Sequence, residues 1–288
     1  MTDPATDPAT DPATGPATGP ATGPATGPAT GPRLDLAHDG AVATLTIRRD
    51  DKLNALDADM VDALIPLCRR IERSDARVLI LTGEGARSFC AGGDIAAWSG
   101  WSPADFGRHW VRDGHAAFDA LARLTVPVIA VLNGHCLGGG LELAACADIR
   151  IAESHVTIGQ PEAALGIIPG WSGTQRAVRR FGPQLVRRMA LTGEVFGAEA
   201  ALALGLVDQV VPQGAGLAAA DVMAERILTR SPRATEITKM LINAAEGEET
   251  SRVLESLAGA VAAAGDDLTE GLAAFRAKRQ PRFPKGSS

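Results

Sequence analysis

The chain has 288 residues and a formal net charge of −6, with Asp3, Asp7 and Asp11 supplying three of the negative charges in an N-terminal tail. The remaining body is nearly balanced, which excludes the strong basic excess of a nucleic-acid binder. No apolar run approaches the roughly 18 residues of a membrane span.

Residues 1–33 repeat Thr-Asp-Pro-Ala and then Thr-Gly-Pro-Ala, ending at Thr30-Gly31-Pro32-Arg33. Such a segment cannot bury enough apolar area to offset its ordering entropy. A proline in every tetrad favours extended, solvated chain. It reads as a disordered tail with no direct catalytic role. Without a basic n-region or an apolar h-region it is not expected to be a secretory signal. About 255 residues remain, enough for one large domain or a domain with an appendage.

Ala41–Ile47 alternates like a strand with one covered face. Asp57 offers an N-cap to a helix in which Val61, Leu64, Ile65, Cys68 and Ile71 recur at helical spacing, and Pro66 is expected to kink it. Val78–Leu81 and Val126–Leu132 are continuous apolar runs, the mark of strands buried on both faces. Between them, residues 103–123 read as a helix. Ile149–Ile151 is a further short strand. From residue 173 onward the pattern is mostly helical, with a strand-like break at Leu206–Val211 and a long Ala-rich amphipathic stretch over 251–278. That last stretch either packs on the chain itself or forms an oligomer contact. The order implies an α/β core over 34–225, followed by a C-terminal helical region over 226–288.

Cys68, Cys90, Cys136 and Cys146 form no CxxC pair and read as buried thiols of a reducing, cytoplasmic compartment. The five histidines lack ligand spacing, so no metal is expected. His135 lies in a glycine-rich loop, where a packing or hydrogen-bonding role is favoured.

Two glycine-rich turns carry the chemistry. The first is Phe89-Cys90-Ala91-Gly92-Gly93-Asp94-Ile95 and the second is Asn133-Gly134-His135-Cys136-Leu137-Gly138-Gly139-Gly140-Leu141-Glu142. Each follows a buried-strand candidate, where chain leaving a sheet lines a ligand crevice. Glycine removes Cβ and lets a ligand reach the backbone. A helix starting at Gly138–Gly140 presents unpartnered N–H groups and the positive end of its dipole to an oxyanion. Glu142 follows one turn along on a similar face. Glu162, after Pro161 at the expected first helical position, supplies a second carboxylate. Neither turn continues into the Gly-Lys-[Ser/Thr] of a phosphate-binding P-loop. Oxyanion donors flanked by two carboxylates are equipment for chemistry through an enolate.

Taken in order, these motifs resemble the enoyl-CoA hydratase/isomerase (crotonase) superfamily from about Leu34 to Phe283. Further marks are Asp51-Lys-Leu-Asn-Ala-Leu56, Gly159-Gln-Pro-Glu162, Leu165-Gly-Ile-Ile-Pro-Gly170, Gly173-Thr-Gln-Arg176, Leu191-Thr-Gly193 and Ala203-Leu-Gly-Leu-Val-Asp208. The resemblance implies a spiral of ββα units with C-terminal helices that build trimers, often paired as hexamers. It implies an acyl-CoA thioester substrate and no separate cofactor, coenzyme A being part of the substrate. It assigns the oxyanion hole to the N–H groups of Gly93 and Gly139. Ala55, Leu56 and the Ala91, Gly92, Asp94 and Ile95 turn would line the CoA channel, with Gly138, Pro161 and Gly170 also among the substrate- or CoA-binding residues. Phe275 and Lys278 match positions that reach a neighbouring subunit's CoA.

The superfamily hosts many reactions, so the site must decide among them. Both acids of a hydratase are present. The resemblance implies that Glu142 activates water for attack at C3 and Glu162 exchanges the proton at C2, with the Gly170 backbone helping to hold the water. The alternatives are a double-bond isomerase, a dedicated 3-hydroxyacyl-CoA dehydratase and, more remotely, an RNA-binding relative. The last would want a basic helix, whereas the helix after Asn54 sets Arg69, Arg70 and Arg73 against Asp57, Asp59, Asp62 and Glu72. Two departures stand out. Ile158 replaces a common aromatic. Trp171-Ser172 replaces small residues, and a bulky Trp171 is expected to narrow or reshape the acyl pocket. Trp98 and Trp101 either shape that pocket for a compact, branched or ring-bearing acyl group or merely cap the fold.

Overall fold

A computed structural model describes residues 33–98 and 100–283 of the chain. Contacts divide the chain into Met1–Gly31 and Pro32–Ser288, and the repeat tail, apart from Arg33, lies outside the described residues. Ten strands are present among those described: β1 Leu34–Asp39, β2 Val42–Ile47, β3 Val78–Gly83, β4 Ser88–Cys90, β5 Val128–Leu132, β6 His135–Leu137, β7 Ile149–Glu153, β8 Thr157–Gly159, β9 Val195–Gly197 and β10 Gln209–Val211. Six form one sheet in the order β1-β2-β3-β5-β7-β10, and β4-β6-β8-β9 form a second. β1 and β2 are an antiparallel hairpin; β2, β3, β5, β7 and β10 run parallel.

The two sheets are built by repetition. β3, β5 and β7 of the large sheet are followed by β4, β6 and β8 of the small one, and then by a helical segment starting at Ile95, Gly139 and Glu162. This is a mixed α/β fold of ββα units with parallel sheets. β5 and the Val78–Leu81 part of β3 are apolar throughout because both faces are covered. Leu79, Leu81, Val128, Ala130 and Leu132 face the main core, whereas Val78, Ile80, Ile129 and Val131 face a second layer closed by Ala220 and Ala224 of the helix Gly216–Leu228.

Asp57 caps the helix Ala58–Glu72 as predicted, accepting from the Met60 N–H at 3.1 Å, and the helix continues through a solvent-facing Pro66. The predicted helix over 103–123 is interrupted. A short turn at Pro103–Asp105 leads into a π-helical segment, Phe106–Val111, before the regular helix Arg112–Ala122. The C-terminal stretch is two helices rather than one, Thr250–Ala263 and Asp266–Arg276. All four cysteines are free and buried. Among the described residues no helix is long and apolar enough to cross a membrane.

Candidate active site

The ends of β4, β6 and β8 bring the two glycine turns and both glutamates together. After β4, the segment around Leu56 lies parallel to the first turn. The Leu56 N–H donates to the Gly92 carbonyl at 2.8 Å, and the Asp94 N–H donates to the Leu56 carbonyl at 2.7 Å. That pattern uses the groups flanking Gly93 and leaves Gly93's own N–H on the opposite edge. After β6, Gly138 adopts φ +54° and starts the helix Gly139–Ala144. As its first residue, Gly139 has no intrahelical acceptor for its N–H.

The turns touch so closely that side chains are excluded. A Cβ on Gly92 would stand 3.2 Å from the Gly139 nitrogen, and a Cβ on Gly140 would stand 2.0 Å from the Cys90 carbonyl oxygen. Both partners are backbone and cannot rotate away. Gly140→Ala is therefore expected to destabilise the protein by about 3 kcal/mol, read as a lower urea midpoint with an unchanged slope.

Glu142 is buried, and its Oε1 accepts from the N–H groups of Trp171 at 2.7 Å and Gly173 at 2.6 Å. Both bonds go to one oxygen, which leaves Oε2 to the cavity. Glu162 opens a short 3₁₀ turn, Glu162–Leu165, and Pro161 is its N-cap, one position earlier than predicted. Glu162 is also buried, and neither carboxylate oxygen has a protein partner. A Cβ on Gly138 would lie 3.2 Å from Glu162 Oε1, so glycine there makes room for the acid.

Burial raises both acids. Glu142 is pushed up to about 8, first by burial and then by the neighbouring Glu162, against the lowering effects of its two N–H donors and of Arg176. Glu162 is raised by burial. The fold thus prefers a protonated Glu142, and the stability it gives is present below pH 4.5 and lost as pH rises towards 8. Glu142→Gln keeps an acceptor for the two N–H groups and removes the charge. It should raise stability at pH 9 by about 2–4 kcal/mol and make little difference at pH 4, measured by urea unfolding at the two pH values.

Gly93, Gly139, Glu142, Glu162, Ala91, Gly92, Ile95, Gly138, Pro161 and Gly170 all line one cavity of about 110 Å³. Ala55, Leu56 and Asp94 lie beside the first turn rather than in the cavity wall. Arg49 clamps two of them, donating to the Ala55 carbonyl at 2.9 Å and to Asp94 Oδ2 at 2.7 Å. Phe275, 83% exposed, and Lys278 stand outside the cavity lining. The N–H groups that hold Glu142 belong to Trp171 and Gly173; Gly170 contributes to the wall. His135 has the hydrogen-bonding role expected, with Nδ1 2.8 Å from Thr157 Oγ1. Ile158 is fully buried in the core.

Sequence reasoning missed much of the apolar wall. Phe106, Trp110 and Val111 come from the π-helical segment, and Leu165, Ile167 and Ile168 from the loop after Glu162. Of the two tryptophans left open, Trp98 lines the cavity and Trp101 does not; Trp101 packs edge-on against Trp110 with centroids 6.4 Å apart. No sequence mark distinguishes a π-helical segment from the α-helix around it. Among the described residues no group of three or more His, Cys, Asp or Glu could hold a metal.

The family model described as enoyl-CoA hydratase/isomerase matches residues 37–286. The chain is 37% identical over 248 residues to a short-chain-enoyl-CoA hydratase of Clostridium acetobutylicum, covering 85% of this chain and 95% of the relative. It is 37% identical over 247 residues to a crotonyl-CoA hydratase of Syntrophomonas wolfei, covering 84% and 94%. The solved structure of Pseudomonas aeruginosa DspI superposes with a TM-score of 0.73 at 34% identity, covering 90% of this chain and 100% of that one.

Proposed function

The chain belongs to the enoyl-CoA hydratase/isomerase family, and we propose that it is a hydro-lyase that adds water reversibly to a short or compact 2-enoyl-CoA. The observation that carries this reading is the pair of buried carboxylates, Glu142 and Glu162, lining one cavity with Gly93 and Gly139. The two N–H groups polarise the thioester carbonyl and stabilise the enolate oxygen, an arrangement whose donors are worth about 3 kcal/mol each in the transition state. Glu142, fixed through Oε1, takes a proton from water with Oε2 as the water oxygen bonds to C3. Glu162, whose oxygens have no protein partner, gives a proton to C2. One water is consumed, and one proton passes through the pair in each turnover. Dehydration runs through the same residues in reverse.

A double-bond isomerase needs one proton shuttle and no activated water, so a second acid lining the cavity favours hydration over isomerisation. The reaction draws on no cofactor beyond the CoA of its substrate. The same reading places the enzyme in a reducing cytoplasm, away from nucleic acid and membranes, as a homotrimer or dimer of trimers. Exposed Leu254, Val261, Leu268, Leu272 and Phe275 on the last two helices support the oligomer. The test is loss of enone absorbance on mixing the purified protein with crotonyl-CoA. Rapid loss is expected. Binding without loss would overturn hydration of a short enoyl group.

A further inference from the structure

The cavity is lined by both exposed and buried side chains. Leu165 and Ile168, from the segment that begins at Glu162, are 57% and 70% exposed, whereas Trp110 and Trp171 in the same lining are almost wholly buried. The Trp171 indole lies across both glycines of the oxyanion pair. Its Cζ3 is 3.0 Å from the Cβ position of Gly139, and its Cη2 is 3.4 Å from that of Gly93. Its ring packs against Trp110 and Phe118 with centroids 4.8 and 5.0 Å away, and its Nε1 donates to the Trp110 carbonyl at 2.8 Å.

The far side of the indole is filled from the helix Arg112–Ala122. A Cβ on Gly114 would fall 2.0 Å from Trp171 Nε1, so the indole occupies the volume that a side chain on that helix would take. The backbone at Trp171 is pinned as well, because its N–H and that of Gly173 both hold Glu142 Oε1. The ring therefore cannot swing aside without breaking its bond to Trp110 or moving a catalytic carboxylate.

We infer that Trp171, housed by Gly114 and tethered to the Trp110 carbonyl, is the stop that limits the acyl chain this site accepts. The ligand is a CoA thioester whose acyl group ends at the indole, so short chains fit and longer ones do not. The inference rests on the acyl-CoA reading above but not on which reaction follows binding. In a pocket closed by a fixed ring, each methylene too many changes affinity by about tenfold or more.

Binding of saturated thioesters separates the two questions, because they cannot be hydrated. Butyryl-CoA and octanoyl-CoA are titrated by calorimetry into the full chain, into Trp171→Ala and into Trp171→Phe, with folding checked by circular dichroism. The wild type should prefer butyryl-CoA by at least about tenfold, and Trp171→Ala should erase or invert that preference. Should the alanine variant fail to fold, Trp171→Phe, which loses one ring and the Nε1 tether, must still shift the ratio towards octanoyl-CoA by about threefold or more. Equal binding of both thioesters by the wild type, or a ratio unchanged in the folded variants, would overturn the stop. Binding of neither thioester by the wild type would overturn the acyl-CoA reading itself, and the stop with it.

Discussion

Glu142→Gln and Glu162→Gln should each lower kcat for crotonyl-CoA hydration by about 10²–10⁴, with much smaller changes in KM. Glutamine preserves the shape of either acid but can neither take nor give the proton. Each substitution thus removes an interaction that exists in the transition state and hardly at all in the bound substrate. The losses should not add, because water attack at C3 and proton delivery at C2 belong to one reaction path. Steady-state kinetics on both single variants and the double variant tests this, and appreciable hydration by the double variant would defeat the assignment. The pH profile gives an independent reading. The reaction needs one carboxylate ionised and the other protonated, and two buried acids this close titrate as a unit. With Glu142, the base of the proposed mechanism, pushed up to about 8 by burial and by Glu162, kcat/KM should rise with pH up to about 8 as Glu142 gives up its proton.

The same substitution links function to stability. On the proposed mechanism Glu142 acts while buried beside another acid, and for the same reason it is expected to weaken the fold increasingly as pH rises above about 4.5. A variant that gains stability while losing turnover is the pattern for a site whose strain serves its chemistry. The two N–H groups on Oε1 soften the conflict: they favour the charged form of an acid that burial would otherwise neutralise.

Local chemistry made the centre of this site legible. Gly93, Gly139, Glu142 and Glu162 could be singled out because glycine runs after apolar strands expose backbone donors, and because the acids sit at fixed short spacings from them. The long strands were legible for a related reason: Val78–Gly83 and Val128–Leu132 are buried on both faces, and the apolar runs Val78–Leu81 and Val128–Leu132 within them are unbroken. β4, β6, β8 and β9, of three residues each, fall below any periodicity a sequence can show. The acyl wall was hidden for a different reason. Trp110 reaches the cavity from a π-helical segment, and Gly114 reads as an ordinary helix-weakening glycine until Trp171, 57 residues later, is seen to fill the space beside it. The CoA-facing roles of Ala55, Leu56, Asp94, Phe275 and Lys278 rest on resemblance alone, since these residues lie outside the cavity wall.

Removing the Arg176 guanidinium should destabilise the protein by about 3–5 kcal/mol. Arg176 is 1% exposed and holds two carboxylates from distant parts of the chain. Its Nε donates to Glu248 Oε1 at 2.8 Å, and its Nη2 reaches Glu248 Oε2 at 3.1 Å and Asp119 Oδ1 at 2.5 Å. Arg179 also donates to Glu248 Oε1, at 2.6 Å. Against the raising effect of burial, Arg176 and Arg179 hold Glu248 down at about 2. The stability from that depressed acid is present above pH 4.5 and lost as pH falls towards 2. Arg176→Met, which keeps most of the volume, should therefore cost most at neutral pH and progressively less in acid, where Glu248 can take a proton instead of a partner. A penalty independent of pH would mean that packing, not charge, is what Arg176 supplies. The substitution should also be felt in catalysis, although Arg176 does not line the cavity. Its charge is one of the influences that lower Glu142, so without it Glu142 should ionise at higher pH, and the rise in kcat/KM should move upward. A destabilised variant with an unmoved pH profile would show that the ion cluster secures the C-terminal helices without tuning the acid beside it.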